Sequence, residues 1–478
     1  MQGALGIHVL GRGFGETIVL EFPNGSVGLI DCFSPQLAIP EGNPPSGHNP
    51  VLRFLTETLK AKSLAFVGLT HPHEDHARGI SHVLHEYAGR IGEIWMFRAF
   101  QSHAFGRLLR AMRLSSRRLP IEKLLKEKPG SFAMELSKVR QQVIHHCQTN
   151  KSDPDCFRDF AGNDSFLLPN EPIRCTFLGP SDPLATLYEN HLADSLATAL
   201  DASGASVDPR WNPGSLNHNL ISASLLISYG RTTILLGGDM EFDAWDHIEK
   251  QQAASSDPSP RLSCQLFKVS HHGSATGFHP QIAERLKVDG RAPMAVLTPF
   301  NRHRSPLPTA DGLTQLMPHV SELIVTNRNE VSRSVERSLE TTAPPTDQEP
   351  GHVTRRSIPH SWLPDLFTRP ELLQSLAPAV RQTTSGTEEQ SIAPPIPHAW
   401  STEMLLQPDL IDLLDPKMEA PVVNRKNSST PETDCRVSFY FNDSGQELRQ
   451  FRYVGTEAGI WPRPTTRLEP TPTQPSAR

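Results

Sequence analysis

At 478 residues the chain has room for one large domain or two ordinary ones. A formal net charge of −6 excludes binding of nucleic acid or membrane through bulk charge, so any site for a polyanion is local. Apolar runs fall short of the roughly 18 residues of a membrane-spanning helix. Six scattered cysteines without a Cys-x-x-Cys pair point to reduced thiols in the cytoplasm rather than a disulfide framework.

Met1–Leu10 lacks the basic start and long apolar core of a signal peptide and reads as a first strand. A glycine turn follows at Gly11-Arg12-Gly13-Phe14-Gly15, then a strand over Thr17–Phe22. Asn24-Gly25 is a hairpin turn, and the strand Val27–Ile30 ends at Asp31. Val51–Lys62 carries amphipathic helical spacing and leads into the apolar strand Leu64–Leu69. A helix is predicted over Asp75–Gly89 with Ile80, Val83, Leu84 and Tyr87 buried, then a strand at Ile94–Phe97. Residues 100–165 read as a helical insertion in which Arg107, Arg110, Arg113 and Arg117 recur at helical spacing. A solvated face is the default for such a run, and a polyanion-binding patch is the alternative.

Strands return at Ile173–Leu178, Ala223–Ser228, Arg231–Leu236, Gln265–Val269, Met294–Leu297 and Leu323–Thr326. From 331 to 433 Pro, Ser, Thr and Glu dominate and the apolar period is lost. Such a stretch buries too little apolar surface to offset its ordering entropy, so a linker with short docking pieces at Trp362–Leu366 and Met404–Leu414 is expected. Residues 434–462 read as a β-hairpin that docks on the main domain, 1–330, and residues 463–478 as a disordered tail.

The chemistry concentrates at strand ends. His71-Pro72-His73-Glu74-Asp75-His76 puts three imidazoles and a carboxylate just past an apolar strand. In extended chain, residues two apart point the same way, so His71 and His73 can meet on one metal ion while Asp75 and His76 reach a second. Imidazole nitrogen and carboxylate oxygen are the usual donors of a catalytic zinc site. Two later strands end in Gly237-Gly238-Asp239 and in Ser270-His271-His272-Gly273-Ser274. Glycine beside Asp239 lets the backbone approach closely.

In this order the motifs resemble the metallo-β-lactamase fold superfamily, and within it the C-terminal hydrolase domain of ComEC-type DNA-uptake proteins and its free-standing relatives. The resemblance covers about residues 5–330 and rests on the glycine turn, Asp31, Thr70 to His76, Leu235 to Asp239 and Lys268 to Ser274. It implies an αββα sandwich, an α/β fold of two mixed sheets face to face with helices outside. It implies one or two Zn²⁺ ions, with Mn²⁺ as the alternative, held by His71, His73, Asp75, His76, Asp239 and His272. Asp239 would be the shared carboxylate, and Asp75 would also hold the attacking water. His271 or His272 would complete the shell or give a proton to the leaving group. Gly273 and Ser274, with Arg107 and Arg110, would contact a phosphate, and Asp31 would orient a ligand histidine. Two departures stand out. The superfamily's histidine between the first motif and the Gly-Asp strand has only His218 and Asn219 as candidates. The branch's late Asn-x-x-x-His-Pro has Ser305 in place of the histidine, with His303 nearby.

The expected function is metal-dependent hydrolysis of a phosphodiester in DNA, RNA or a nucleotide. A small-molecule ester or lactone hydrolase is the first alternative, and a binding or scaffold protein with a degenerate metal site the second. No membrane insertion is expected, and the C-terminal extension is a candidate surface for a protein partner.

Overall fold

The structure is a computed structural model. It describes residues 3–34, 49–116, 132–150, 156–160, 162, 164–169, 171–199, 208, 211, 216–254, 261–301, 306–342, 435–442, 452–454 and 459–460. Sheet one runs β15-β14-β1-β2-β3-β4-β5-β6 and sheet two β16-β13-β12-β11-β10-β9-β8-β7. The strands of the first are β1 (Leu5–Leu10), β2 (Thr17–Glu21), β3 (Val27–Ile30), β4 (Leu64–Leu69), β5 (Ile91–Phe97), β6 (Phe157–Phe160), β14 (Arg436–Phe441) and β15 (Arg452–Val454). Those of the second are β7 (Ser165–Leu167), β8 (Ile173–Gly179), β9 (Ser224–Tyr229), β10 (Thr232–Leu236), β11 (Leu266–Lys268), β12 (Met294–Leu297), β13 (Glu322–Val325) and β16 (Gly459–Ile460).

Period-two alternation builds the layers. Along β1, Leu5, Ile7 and Val9 enter the layer between the sheets, where Phe66, Trp95, Phe177, Ile234 and Val296 also lie. Val67 and Leu69 of β4 face the opposite way, into a layer with Val51, Leu52, Ile80 and Val83 from helices. The outer face of sheet two packs Leu235, Phe267 and Leu297 against Trp245, Ile248, Leu313 and Leu316 of its own helices. The result is the αββα sandwich that the sequence resemblance implies.

In each sheet the strands beside the site are parallel: β3, β4 and β5 in the first, β10, β11, β12 and β13 in the second. Their carboxyl ends therefore open on one side of each sheet. Asp31 follows β3, Thr70 to His76 follow β4, Asp239 follows β10, His271 and His272 follow β11, and Thr298 follows β12.

Several elements differ from the sequence reading. The helix expected over Asp75–Gly89 is two pieces, Glu74–Ala77 and Ile80–Glu86, broken at Gly79 with φ +133°. The break frees the His76 and Arg78 carbonyls to accept from the backbone N–H groups of Cys32 and Ser34, which fastens the metal motif to the end of β3. The helix expected over Val51–Lys62 is a short turn, Pro50–Arg53, continued by a wider turn, Phe54–Thr58. The insertion is helical at His103–Ser116 and Phe132–Thr149, but β6 then extends sheet one by pairing parallel to β5. The linker expected from 331 is a helix at its start: Arg328–Thr342 buries Val331 and Ser334 on one narrow stripe of an otherwise polar helix.

The C-terminal segment returns to the core. Strand β14 pairs antiparallel with β1 from Leu5↔Phe441 to Leu10↔Arg436, and buried His8 Nδ1 lies 2.9 Å from Ser438 Oγ. Strand β15 pairs with β14 and β16 with β13. Residues 343–434, including Trp362–Leu366 and Met404–Leu414, and the tail 463–478 lie outside the described residues. All six cysteines are free thiols. Among the described residues no helix is long and apolar enough to cross a membrane.

Candidate metal centre

Among the described residues three groups of potential donors lie at the strand ends: Glu16, Asp31 and His76 form one, and the other two share Asp239. Of these two, the first is His71, His73 and Asp239, and the second Asp75, His76, Asp239 and His272; within each, the donor atoms lie within 4.8 Å of one another. All six side chains are buried, and Asp239 belongs to both groups. Gly238 makes this possible: at φ +54° its backbone passes so close to the Ala223 carbonyl that a Cβ would stand 2.3 Å from the oxygen.

Hydrogen bonds fix which nitrogen of each ring faces inward. Asp31, at φ +56°, accepts from the Thr70 N–H at 2.8 Å, the Thr70 hydroxyl at 2.7 Å and His76 Nδ1 at 2.7 Å. The His76 proton therefore sits on Nδ1, and Nε2 faces Asp239 at 3.3 Å and Asp75 at 3.4 Å. The Thr70 hydroxyl, having given its proton to Asp31, accepts from His71 Nδ1 at 3.0 Å. His71 Nε2 is left facing His73 Nδ1 at 2.9 Å and Asp239 at 3.7 Å. His272 Nδ1 lies 3.0 Å from the Thr298 carbonyl, which can only accept, so His272 Nε2 is the free nitrogen and points at Asp75 at 2.9 Å.

The electrostatics are those of a site built for a cation. Burial lowers an imidazole's pKa, but Asp239, Asp75 and Asp31 outweigh it and hold His76 well above its ordinary value. Burial raises a carboxylate, yet His76 and His272 outweigh it and hold Asp75 and Asp239 well below the usual range. Burial, then His76 and His73, push His71 well down, leaving it neutral with a lone pair to give. His76 Nε2 and Asp239 Oδ1 are buried and find no hydrogen-bond partner among the described residues. Imidazole lone pairs and carboxylate oxygens turned onto one another, with orphaned atoms among them, fit a divalent ion such as Zn²⁺ or Mn²⁺.

The two adjacent histidines part company. His271 and His272 both adopt left-handed backbone, φ +43° and +50°, and Gly273 follows at φ +80°. Such strain at non-glycine residues costs on the order of 1–3 kcal/mol each and here turns the two rings in different directions. His272 enters the second donor group. His271 is partly exposed, with Nδ1 3.3 Å from Glu241. Burial raises Glu241, but its hydrogen bond to His271 outweighs that and brings it down to about 2. Ser274 gives its N–H to the His271 carbonyl at 2.8 Å, and its hydroxyl lies 3.0 Å from that of Thr276. Gly273 is buried against Leu297 and Pro308. The Ser274 N–H and hydroxyl are thus both engaged within the chain. Arg107 and Arg110 are exposed on the helix His103–Ser116, and no hydrogen bond or ion pair among the described residues ties them to the cluster.

His218 is buried with its ring 5.4 Å from that of His73, and its Nδ1 lies 3.0 Å from the Tyr188 hydroxyl. It belongs to neither donor group. Asn219 beside it is buried, and neither atom of its amide finds a partner among the described residues. His303 and Ser305 lie outside the described residues. Asn301 ties the glycine turn to the helix Arg328–Thr342: its N–H donates to the Gly13 carbonyl at 2.7 Å, and its side chain bonds Glu330 and Arg337.

Sequence reasoning missed Glu241 beside His271, Ser222, whose hydroxyl accepts from the Asp239 N–H at 2.8 Å, Glu16, which accepts from the Thr298 hydroxyl at 2.8 Å, and the service of Thr70 and Thr298. A signal existed for the threonines, since each is the first residue after an apolar strand that leads into a histidine motif or faces one.

No protein-family model matches the chain, and no curated protein matches it. Among solved structures it is similar to a variant of the CmlA beta-hydroxylase, at 11% identity over 62% of this chain and 45% of that one, with a TM-score of 0.28. A Cronobacter sakazakii metallo-beta-lactamase with a HARLDQ motif is 10% identical over 70% of this chain and 92% of that one, with a TM-score of 0.25. Zn(2+)-bound PqqB from Methylobacterium extorquens is 10% identical over 55% of this chain and 71% of that one, with a TM-score of 0.24. The chain spans less than half of the hydroxylase, and likenesses at these TM-scores carry no argument about chemistry.

Proposed function

We propose that this chain is a metal-dependent hydrolase whose substrate is a phosphodiester, in nucleic acid or in a nucleotide. The observation that carries the first half is the place of Asp239 in both donor groups, the arrangement that lets one carboxylate serve two ions. His71, His73 and Asp239 would hold one ion, and Asp75, His76, Asp239 and His272 the other. Bound there, divalent ions supply an acidified water and a clamp on the substrate's oxygens. Asp75, held as a carboxylate, would ligate and orient the attacking water. His271, partly exposed and braced by Glu241, would be the group that returns a proton to the leaving oxygen. The phosphodiester half rests on the sequence motifs and on the exposed Arg107 and Arg110, whose guanidinium forks suit phosphate.

The test is metal analysis followed by turnover with Zn²⁺ and with Mn²⁺. Substrates are single-stranded DNA, a dinucleotide, a nitrophenyl phosphodiester, and a panel of esters and lactones. Phosphodiester cleavage that Asp239→Ala abolishes supports the proposal. Turnover confined to esters or lactones transfers the site to that class, and a chain that binds no divalent ion overturns the hydrolase reading altogether.

A further inference from the structure

We infer that Glu16 and Thr298 are positioning residues of the second donor group, acting on His272 through a buried relay of hydrogen bonds. The inference rests on the metal-dependent reading above and names residues to which no role has been given there.

Thr298 Oγ1 lies 2.8 Å from Glu16 Oε2 and 3.1 Å from His272 Nδ1. A carboxylate only accepts, so the hydroxyl proton goes to Glu16 and the hydroxyl lone pair is left for the His272 Nδ1–H. Glu16 thereby sets the sense of the hydroxyl, which joins the Thr298 carbonyl as a second acceptor for the same Nδ1–H. Were the hydroxyl turned the other way, its proton would confront the Nδ1–H that the Thr298 carbonyl also holds at 3.0 Å, and the ring would be pushed from the orientation in which Nε2 faces Asp75. Lys268 supplies the opposite charge that a buried carboxylate requires: its ammonium bonds Glu16 and donates to the Val269 carbonyl at 2.8 Å. Glu16, Lys268, Thr298 and His272 are all buried.

The same device occurs a second time on the other sheet. Asp31 takes the Thr70 hydroxyl proton, and Thr70 accepts from His71 Nδ1 at 3.0 Å. Two threonines, each at the end of a strand and each aimed by a buried carboxylate, thus turn two histidines inward. Outer partners of this kind typically govern metal affinity by about 10–100-fold.

The experiment is Co²⁺ and Zn²⁺ titration of the full chain, following stoichiometry and the Co²⁺ visible spectrum, in wild type and three Thr298 variants. Thr298→Val, which removes the hydroxyl at nearly constant volume and keeps the main-chain carbonyl, should weaken one of two binding steps by about 10-fold and alter its Co²⁺ bands, leaving the other step in place. Thr298→Ser keeps the hydroxyl and should titrate like wild type. If valine is not tolerated against Gly11 and circular dichroism reports unfolding, Thr298→Ala removes the same hydroxyl without added bulk and carries the same expectation. The relay is overturned if the folded valine or alanine variant binds both ions as tightly as wild type, or if serine is as weak as valine. A wild-type chain that binds no ion overturns the underlying metal reading, a result separable from failure of the relay.

Discussion

Replacing Asp31 by Asn tests the inner architecture of the site with little disturbance to the fold. Asn is among the residues that tolerate φ +56°, so the backbone should not move. The carboxylate accepts three hydrogen bonds, from the Thr70 N–H, the Thr70 hydroxyl and His76 Nδ1. Asn can keep the first with its carbonyl oxygen, but its NH₂ then confronts the Thr70 O–H and the His76 Nδ1–H. Both conflicts resolve the wrong way for metal binding. His76 moves its proton to Nε2, and Thr70 turns its proton toward His71 Nδ1. Each loss of a histidine's orienting partner costs about 10–100-fold in metal affinity, or about 1.4–2.7 kcal/mol. Because Asp31 supports one histidine from each donor group, both binding steps should weaken. Metal-free stability should fall by only about 1–3 kcal/mol, the scale of a buried bond to a charged group. Calorimetric titration with Zn²⁺, beside thermal melts with and without chelator, reads both quantities. An Asp31→Asn protein that binds two ions with wild-type affinity would refute the reasoning, because the inward nitrogens would then owe nothing to the carboxylate behind them.

Five further outcomes are expected. Asp239→Ala should lose both ions and His73→Ala only one, read as metal per chain by elemental analysis; equal stoichiometry in the two variants would contradict a shared carboxylate. Asp75→Ala should abolish hydrolysis while the circular dichroism spectrum is kept, and turnover near the wild-type rate would remove its assigned role. Chelation should lower the melting temperature, a site filled at 100 times its Kd contributing about 2.7 kcal/mol. Because the metal-free protein holds His76 above its ordinary value, the contribution of this group is fully present below pH about 6.5 and is lost as pH rises through the raised folded value. Melts of the metal-free protein should therefore fall toward alkaline pH more steeply than those of the loaded protein, and parallel curves would count against the carboxylate cage. Finally, Gln at Arg107 and Arg110 should flatten the salt dependence of single-stranded DNA binding by about 0.7 per lost phosphate contact, and an unchanged slope would return that helix to a solvated face.

The sequence by itself located the converging donor residues wherever chemistry is compressed into a few positions. His71, His73, Asp75 and His76 stand in one run, and the strands before Asp239 and His272 announce themselves by apolar runs that stop at glycine or histidine. The αββα layering was likewise legible, because alternation along β1 and the apolar runs of β4, β10 and β12 are properties of local pattern. What the pattern left open was orientation. His271 and His272 are the same residue type at neighbouring positions, and only left-handed backbone on both, anchored by the His271 N–H to the Gly238 carbonyl at 2.9 Å, sends one ring to the donors and the other to Glu241. The break at Gly79 was hidden for a related reason: the apolar period continues through it, and the carbonyls it releases are claimed by Cys32 and Ser34, more than 40 residues earlier.

Tertiary structure alone decided the rest. Glu16 is an ordinary acidic residue after a glycine turn until folding seals it between Lys268 and Thr298, more than 250 residues away. Helix Arg328–Thr342 reads as linker because its buried stripe is narrow, and its place is set by contacts to Asn301 and the glycine turn rather than by its own period. Strand β14 owes its position to an open edge on β1, some 430 residues earlier, which no local propensity encodes. Local chemistry is written in neighbouring residues and can be read along the chain. Hydrogen-bond partners, ring orientation and edge pairing depend on which distant groups folding brings within about 3 Å, and that is a property of the packed molecule.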